Sequence, residues 1–275
     1  MTSTFIEGGN VQANGIRQHY LRFGGKGAPL VVIPGITSPA VTWGFVAERL
    51  GLTCDTYVLD VRGRGLSQSG PGLDYGLDSL ADDLIGFTEA LGLGPVALLG
   101  HSMGARIAAR ALGRRGAGNV DRVVLVDPPV SGPGRRPYPS QLPWYLDSIQ
   151  AATFGMTADA MRAFCPTWTQ EQLSLRAEWL HTCYEPAIRQ AFDGFHTDDI
   201  HRDLARLGVP ALLMLAGKGG VVTPEDETEI RTLLPSIEVS RVNDAGHMIP
   251  WDDFEGFFAA LGDFLGRPKH SRRTE

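Results

Sequence analysis

The sequence predicts an α/β protein: a mostly parallel, doubly wound sheet, opened by an antiparallel hairpin and interrupted by a helical cap insertion. Three observations lead there. Short apolar runs alternate with amphipathic stretches of helix length along most of the 275 residues, the rhythm of strand–helix–strand units. The apolar run that starts at Val96 breaks at Gly100, Ser102 follows between glycines, and an alanine-rich helix begins. From about Val130 to Leu207 the alternation stops, replaced by a Gly/Pro-rich entry and helix-like stretches carrying Trp144, Tyr145, Trp168, Trp179 and Tyr184.

These breaks divide the chain into a core (1–129 and 208–268), an inserted cap (130–207) and a tail (269–275) expected to be flexible. The composition, 43% apolar and 20% charged, is that of a globular protein with a substantial core. A net charge of -6 without a basic stripe argues against nucleic acid as a partner, and the basic stretch Arg267 to Arg273 reads as a solvated end. Cys54, Cys165 and Cys183 lack the paired spacing of a zinc site or a disulfide framework and read as reduced thiols. No run approaches the roughly 20 apolar residues of a membrane helix. The N-terminus shows no basic leader followed by an apolar segment, so the expected compartment is the cytoplasm.

In chain order, Thr4 to Val11 and Ile16 to Phe23 are strands closed by Asn14-Gly15, a hairpin turn pair. Pro29 to Ile33 is a strand ending at Pro34-Gly35, and Ala40 to Leu50 a helix. Thr56 to Leu59 is a strand; Asp78 to Leu91 is a helix, N-capped by Asp78, with Leu80, Leu84, Phe87 and Leu91 on one face. After the serine turn and its helix comes the strand Arg122 to Val126, stopped by Pro128 and Pro129. Beyond the cap the pattern resumes with the strand Ala211 to Ala216, a helix near Pro224 to Leu234 and the strand Ile237 to Val242. A last amphipathic helix bears Trp251, Phe254, Phe258, Leu261 and Leu265.

The strand, sharp turn and helix around Ser102 form the context of a nucleophile elbow, in which the turn pushes a serine hydroxyl out at the edge of the sheet. Gly100 and Gly104 are required there because a side chain would strike the neighbouring strand or helix. A buried turn serine is the plain alternative. A serine needs a base, and His247 sits in the loop between the last strand and last helix, which opens at the same sheet edge; a turn or core histidine is its alternative. His101 is expected to point away from Ser102 as a support; the cap histidines His181, His196 and His201 are further candidates for substrate contact, each with a surface or packing role as its alternative.

The third partner is a carboxylate at that edge. Asp127, directly after a buried strand, leads; Glu225, Asp226 and Asp244 are the alternatives. The amides of Met103 and of Ile36, in the loop after Pro34-Gly35, are the candidate oxyanion donors. The Gly-x-Gly within Asp60 to Ser67 lacks the remainder of a dinucleotide fingerprint and reads as a tight structural loop.

Together, Gly-His-Ser-Met-Gly104, Asp60-x-Arg-Gly-x-Gly-x-Ser67 and Ala-Gly-His247 make the chain resemble the α/β-hydrolase superfamily over nearly its full length. It departs from the family pattern twice: Pro34-Gly35 stands where His-Gly is common, and Gly219-Gly220 where an acid usually follows the penultimate strand, which favours Asp127. Pro34 to Pro39, Thr42 to Arg49, Val126 to Arg136, Glu178 to Glu185 and Gly246 to Asp252 carry a narrower likeness, to the linear-amide deformylases of aerobic nicotinate breakdown. That likeness implies hydrolysis of the N-formyl amide of a small carboxylate-bearing substrate through a formyl-enzyme, with no metal or organic cofactor. A carboxylate calls for a cation, and Arg135, Arg136 and Arg176 are the candidates, with Trp144, Tyr145 and Trp179 as candidate pocket walls. The same framework would serve a carboxylesterase, a carbon–carbon bond hydrolase, or a small-molecule receptor on a hydrolase scaffold.

Overall fold

Asn14 and Gly15 both take positive φ (48° and 74°), the geometry that closes β1 (Phe5–Ala13) onto β2 (Ile16–Phe23). The structure is a computed structural model that describes residues 2–267. Strands β3 (Pro29–Ile33), β4 (Asp55–Leu59), β5 (Val96–His101), β6 (Val120–Val126), β7 (Ala211–Ala216) and β8 (Glu238–Val242) complete an eight-stranded sheet ordered β1-β2-β4-β3-β5-β6-β7-β8. The β1–β2 and β2–β4 pairings are antiparallel and all the others parallel.

Strands β4, β5 and β7 are buried at every residue, as a parallel sheet covered on both faces requires. The covering helices are α1 (Gly44–Leu50), α2 (Leu77–Ala90) and α3 (Met103–Arg115), followed after the inserted segment by others given below. Between β6 and β7 the chain builds α4 (Leu142–Thr153), α5 (Ala158–Met161), α6 (Gln170–Trp179), α7 (Glu185–Thr197) and α8 (His201–Leu204), with no strand. The core closes with α9 (Pro224–Leu233), α10 (Ile249–Asp252) and α11 (Phe254–Leu261). None of the described helices is long and apolar enough to cross a membrane.

The order runs outward from β3 in both directions, to β4 on one side and β5 on the other. That reversal opens a crevice at the carboxyl ends of β3 and β5, where ligands bind in open α/β sheets. The loop after β3 and the turn after β5 therefore face each other.

Several expectations need correction. The first half of the helix expected over Ala40 to Leu50 is a 3-10 turn, Ala40–Trp43. Gly76 occupies the N-cap of α2; Asp78 lies inside the first turn, where its carboxylate pairs with Arg110. The final helix is split at Asp253, whose extended backbone (φ -148°, ψ 87°) ends α10 while its side chain caps α11. Arg267, the first residue of the basic stretch, is exposed, as a solvated end would be, and pairs there with Glu238 and Asp263. The tail expected over 269–275, with the rest of the basic stretch, lies outside the described residues. The three cysteines are buried and unpaired.

Candidate active site

Ser102 has φ 54° and ψ -119°, a conformation that side chains rarely adopt. Two glycines make room for it. A Cβ on Gly100 would lie 2.4 Å from the Gly104 carbonyl oxygen, and one on Gly104 would lie 1.9 Å from that of Ile33. The turn is fastened by the Ser102 N–H, which donates to the Val126 carbonyl at 2.9 Å.

Asp127 repeats this arrangement one strand over. Its φ is 43° and its N–H donates to the Met214 carbonyl at 2.8 Å, so adjacent strands β5 and β6 each end in a strained residue anchored to the next strand. Asp127 is fully buried. Its Oδ2 accepts from the Val221 N–H at 2.9 Å and lies 2.7 Å from His247 Nδ1. His247 Nε2 in turn lies 3.0 Å from Ser102 Oγ. Strands β5 and β6 and the loop after β8 thus bring Ser102, Asp127 and His247 into one hydrogen-bonded chain.

The alternative acids lie elsewhere. Asp226 caps α9 through Thr223 and also receives Arg136; Asp244 makes an exposed pair with Lys218; Glu225 is exposed. Of Gly219 and Gly220, it is Gly220 that lies against Asp127. A Cβ on Gly220 would fall 2.7 and 2.9 Å from the Asp127 carboxylate oxygens.

His101 supports the loop of His247: its Nε2–H donates to the His247 carbonyl at 2.9 Å, and its ring packs against Trp43, Trp251 and His247. Burial, and secondarily the neighbouring His247 ring, pushes its pKa down to about 3, which keeps it neutral.

Two backbone donors near Ser102 are free. Neither the Ile36 N–H nor the Met103 N–H has an acceptor among the described residues. The loop bearing Ile36 approaches closely enough that a Cβ on Gly35 would lie 3.5 Å from Ser102 Cβ. Behind both donors sits Arg64, which sequence reasoning missed. Its Nε donates to the Ile36 carbonyl at 3.0 Å, and its Nη2 reaches Met103 Sδ at 3.5 Å. Burial pushes its pKa down to about 10. The available signal was an arginine between two glycines inside the Asp60 loop. That loop is structural: Asp60 accepts from the Ala40 and Leu66 N–H groups and pairs with His19, and it leaves no room for a side chain at Gly65.

Ser102 and His247 open into a cavity of ≈ 670 Å³. The inserted segment contributes Tyr138, Trp144, Tyr145, Phe164, Trp168 and Arg176 to its wall. Tyr138 and Trp168 were not among the expected wall residues; Tyr138 Oη lies 3.2 Å from Tyr145 Oη, and Trp168 stacks on Trp251 at 5.1 Å. Trp179 does not line the cavity, nor do His181, His196 and His201. Arg135 and Arg136 are outside it as well, bound to Glu229 and Asp226 respectively. Arg176, 3% exposed, donates to the Thr37 carbonyl and to Thr37 Oγ1, both at 3.1 Å.

Residues 28–254 match the family of the alpha/beta hydrolase fold. The chain belongs to the α/β-hydrolase family. Among its relatives in that family, the N-formylmaleamate deformylase of Pseudomonas putida is 68% identical over 266 residues, covering 97% of this chain and 99% of that protein. A crystal structure of a serine-to-alanine variant of an N-formylmaleamic acid deformylase, also from Pseudomonas putida, aligns with a TM-score of 0.90 at 58% identity, covering 93% of this chain and 100% of that one. An E-2-(acetamidomethylene)succinate hydrolase shares the fold with a TM-score of 0.78 at 23% identity, covering 96% of this chain and 100% of that one. At such identity and coverage to the deformylase, this α/β hydrolase is an enzyme of the hydrolase class.

Proposed function

We propose that this enzyme hydrolyses the N-formyl amide of N-formylmaleamate to maleamate and formate, a step of nicotinate breakdown as its likeness implies. The observation that carries this reading is the Ser102–His247–Asp127 hydrogen-bond chain, opening on a walled cavity, in a chain 68% identical to an N-formylmaleamate deformylase.

Ser102 Oγ attacks the formyl carbon as its proton passes to His247 Nε2, across the 3.0 Å contact. The Asp127 carboxylate holds Nδ1–H and stabilises the imidazolium. The formyl oxygen becomes an oxyanion and accepts from the Ile36 and Met103 N–H groups. When the intermediate collapses, the C–N bond breaks and His247 returns the proton to the departing nitrogen. That nitrogen also bears the maleamate acyl group, so it leaves more readily than an amine. Water, deprotonated by His247, then attacks the formyl ester, and formate leaves as Ser102 recovers its proton. A formate-release assay on wild type and Ser102→Ala tests the reading: release is expected from wild type alone, and equal release from both would refute it.

A further inference from the structure

We propose that Arg176 is the receptor for the substrate's carboxylate and sets the specificity of the cavity for short amides that end in an anion. The proposal rests on the reaction above only for the identity of that anion.

The cavity wall holds two cationic side chains, Arg176 and Lys218. Lys218 is exposed at the rim and pairs with Asp244 at 2.8 Å. Arg176 lies inside, and among the described residues it has no carboxylate within 4.0 Å. A guanidinium held away from water without a counter-charge is costly unless every donor is used. Here Thr37 takes one hydrogen bond from each Nη, the Cys165 thiol lies beside the guanidinium, and Nε has no hydrogen-bond partner. The ring of Trp168, 5.5 Å from the guanidinium carbon, packs against it and limits its motion. Nε–H and a remaining Nη–H on the same edge form the planar fork that a carboxylate accepts in bidentate fashion.

Comparison with the other arginines isolates it. Arg64 and Arg106 are as deeply buried and also lack a carboxylate, but Arg64 is clipped to three backbone carbonyls and Arg106 to four, and neither lines the cavity. Arg135 and Arg136 are occupied by acids of α9. The position of Arg176 suits the chemistry too. Thr37 adjoins Ile36, so a carboxylate on Arg176 docks beside the loop that supplies an oxyanion donor, with the short unsaturated chain of the substrate leading from there to Ser102.

The test is the preference, in kcat/KM, for N-formylmaleamate over its uncharged methyl ester, measured for wild type, Arg176→Met and Arg176→Lys. The preference should fall about 100-fold in Arg176→Met, the loss typical of removing one partner of a buried charge pair. Arg176→Lys keeps the charge without the fork and should fall between. A preference that survives in both variants overturns the proposal, as does a parallel loss on acid and ester. If wild type releases formate from neither compound, the deformylase reading fails by itself. Arg176 is then judged by maleate as a competitive inhibitor of p-nitrophenyl acetate hydrolysis: inhibition weakened about 100-fold in Arg176→Met sustains the receptor, and unchanged inhibition overturns it.

Discussion

The contact between Gly220 and Asp127 makes the triad acid movable. A Cβ built on Gly220 points at the Asp127 carboxylate, 2.7 Å from one oxygen and 2.9 Å from the other. In an aspartate, the carboxylate oxygens lie roughly 2.4 Å from Cβ, by ordinary bond lengths and angles. Asp127→Ala combined with Gly220→Asp should therefore return an oxygen to within about 0.5 Å of its present place, facing His247 Nδ1 from β7 instead of β6. Asp127→Ala alone should lower kcat about 10⁴-fold, because it leaves the imidazolium without its partner. Gly220→Asp alone should be damaging as well, since it forces two carboxylates together in a buried site. The double variant should recover about 100-fold over Asp127→Ala, the remaining deficit reflecting imperfect placement. Formate release by the purified, folded variants is the assay. A double variant no more active than Asp127→Ala would show that the two strand ends are not interchangeable and refute the geometric argument.

Acid stability should report on His101. Its pKa is held down to about 3, against about 6.5 in an unfolded chain, so the unfolded state takes the proton first. The stability that depends on a neutral His101 is complete above pH 6.5 and drains away toward pH 3, at roughly 1.4 kcal/mol per pH unit. Urea unfolding of wild type between pH 7 and 5 should show a steeper acid loss than His101→Gln, and parallel curves would count against the burial argument. Gly104→Ala places a methyl 1.9 Å from the Ile33 carbonyl oxygen and should destabilise by more than about 4 kcal/mol in the same assay, so wild-type stability would contradict the packing described. Arg135→Ala removes a part-exposed pair with Glu229 and should change kcat/KM for N-formylmaleamate by less than about two-fold; a larger loss would reassign Arg135 to the substrate.

Much of the site was legible because it depends on the chain's local geometry. Glycines at 100 and 104 are demanded by sub-3 Å approaches, and an acid directly after a buried strand has little choice of direction. The acid-free pair at 219 and 220 pointed toward Asp127 for a reason that the structure makes physical at one of them, since Gly220 lies against its carboxylate. What could not be read was the partner of each arginine. Arg135, Arg136 and Arg176 look alike in a string of letters, and only the fold sets the first two on α9 acids and the third in the cavity. The final helix misled for a similar reason: its apolar spacing ran on through Asp253, whose side chain instead begins a new helix.

Beside its side-chain pairs, the helical segment between β6 and β7 is fastened to the core through its own backbone. Arg64 reaches the Ala187 carbonyl, Arg106 reaches those of Gly194 and Asp198, and the Gly63 carbonyl receives the Tyr184 N–H. Backbone acceptors persist whatever side chain stands at the position. Cavity-side residues other than Thr167 and Arg176, which also hold the core, can thus be exchanged with these backbone contacts kept, leaving substrate range open to change. A segment borrowed from a relative would need backbone carbonyls at these places, and its host core would need Arg64 and Arg106.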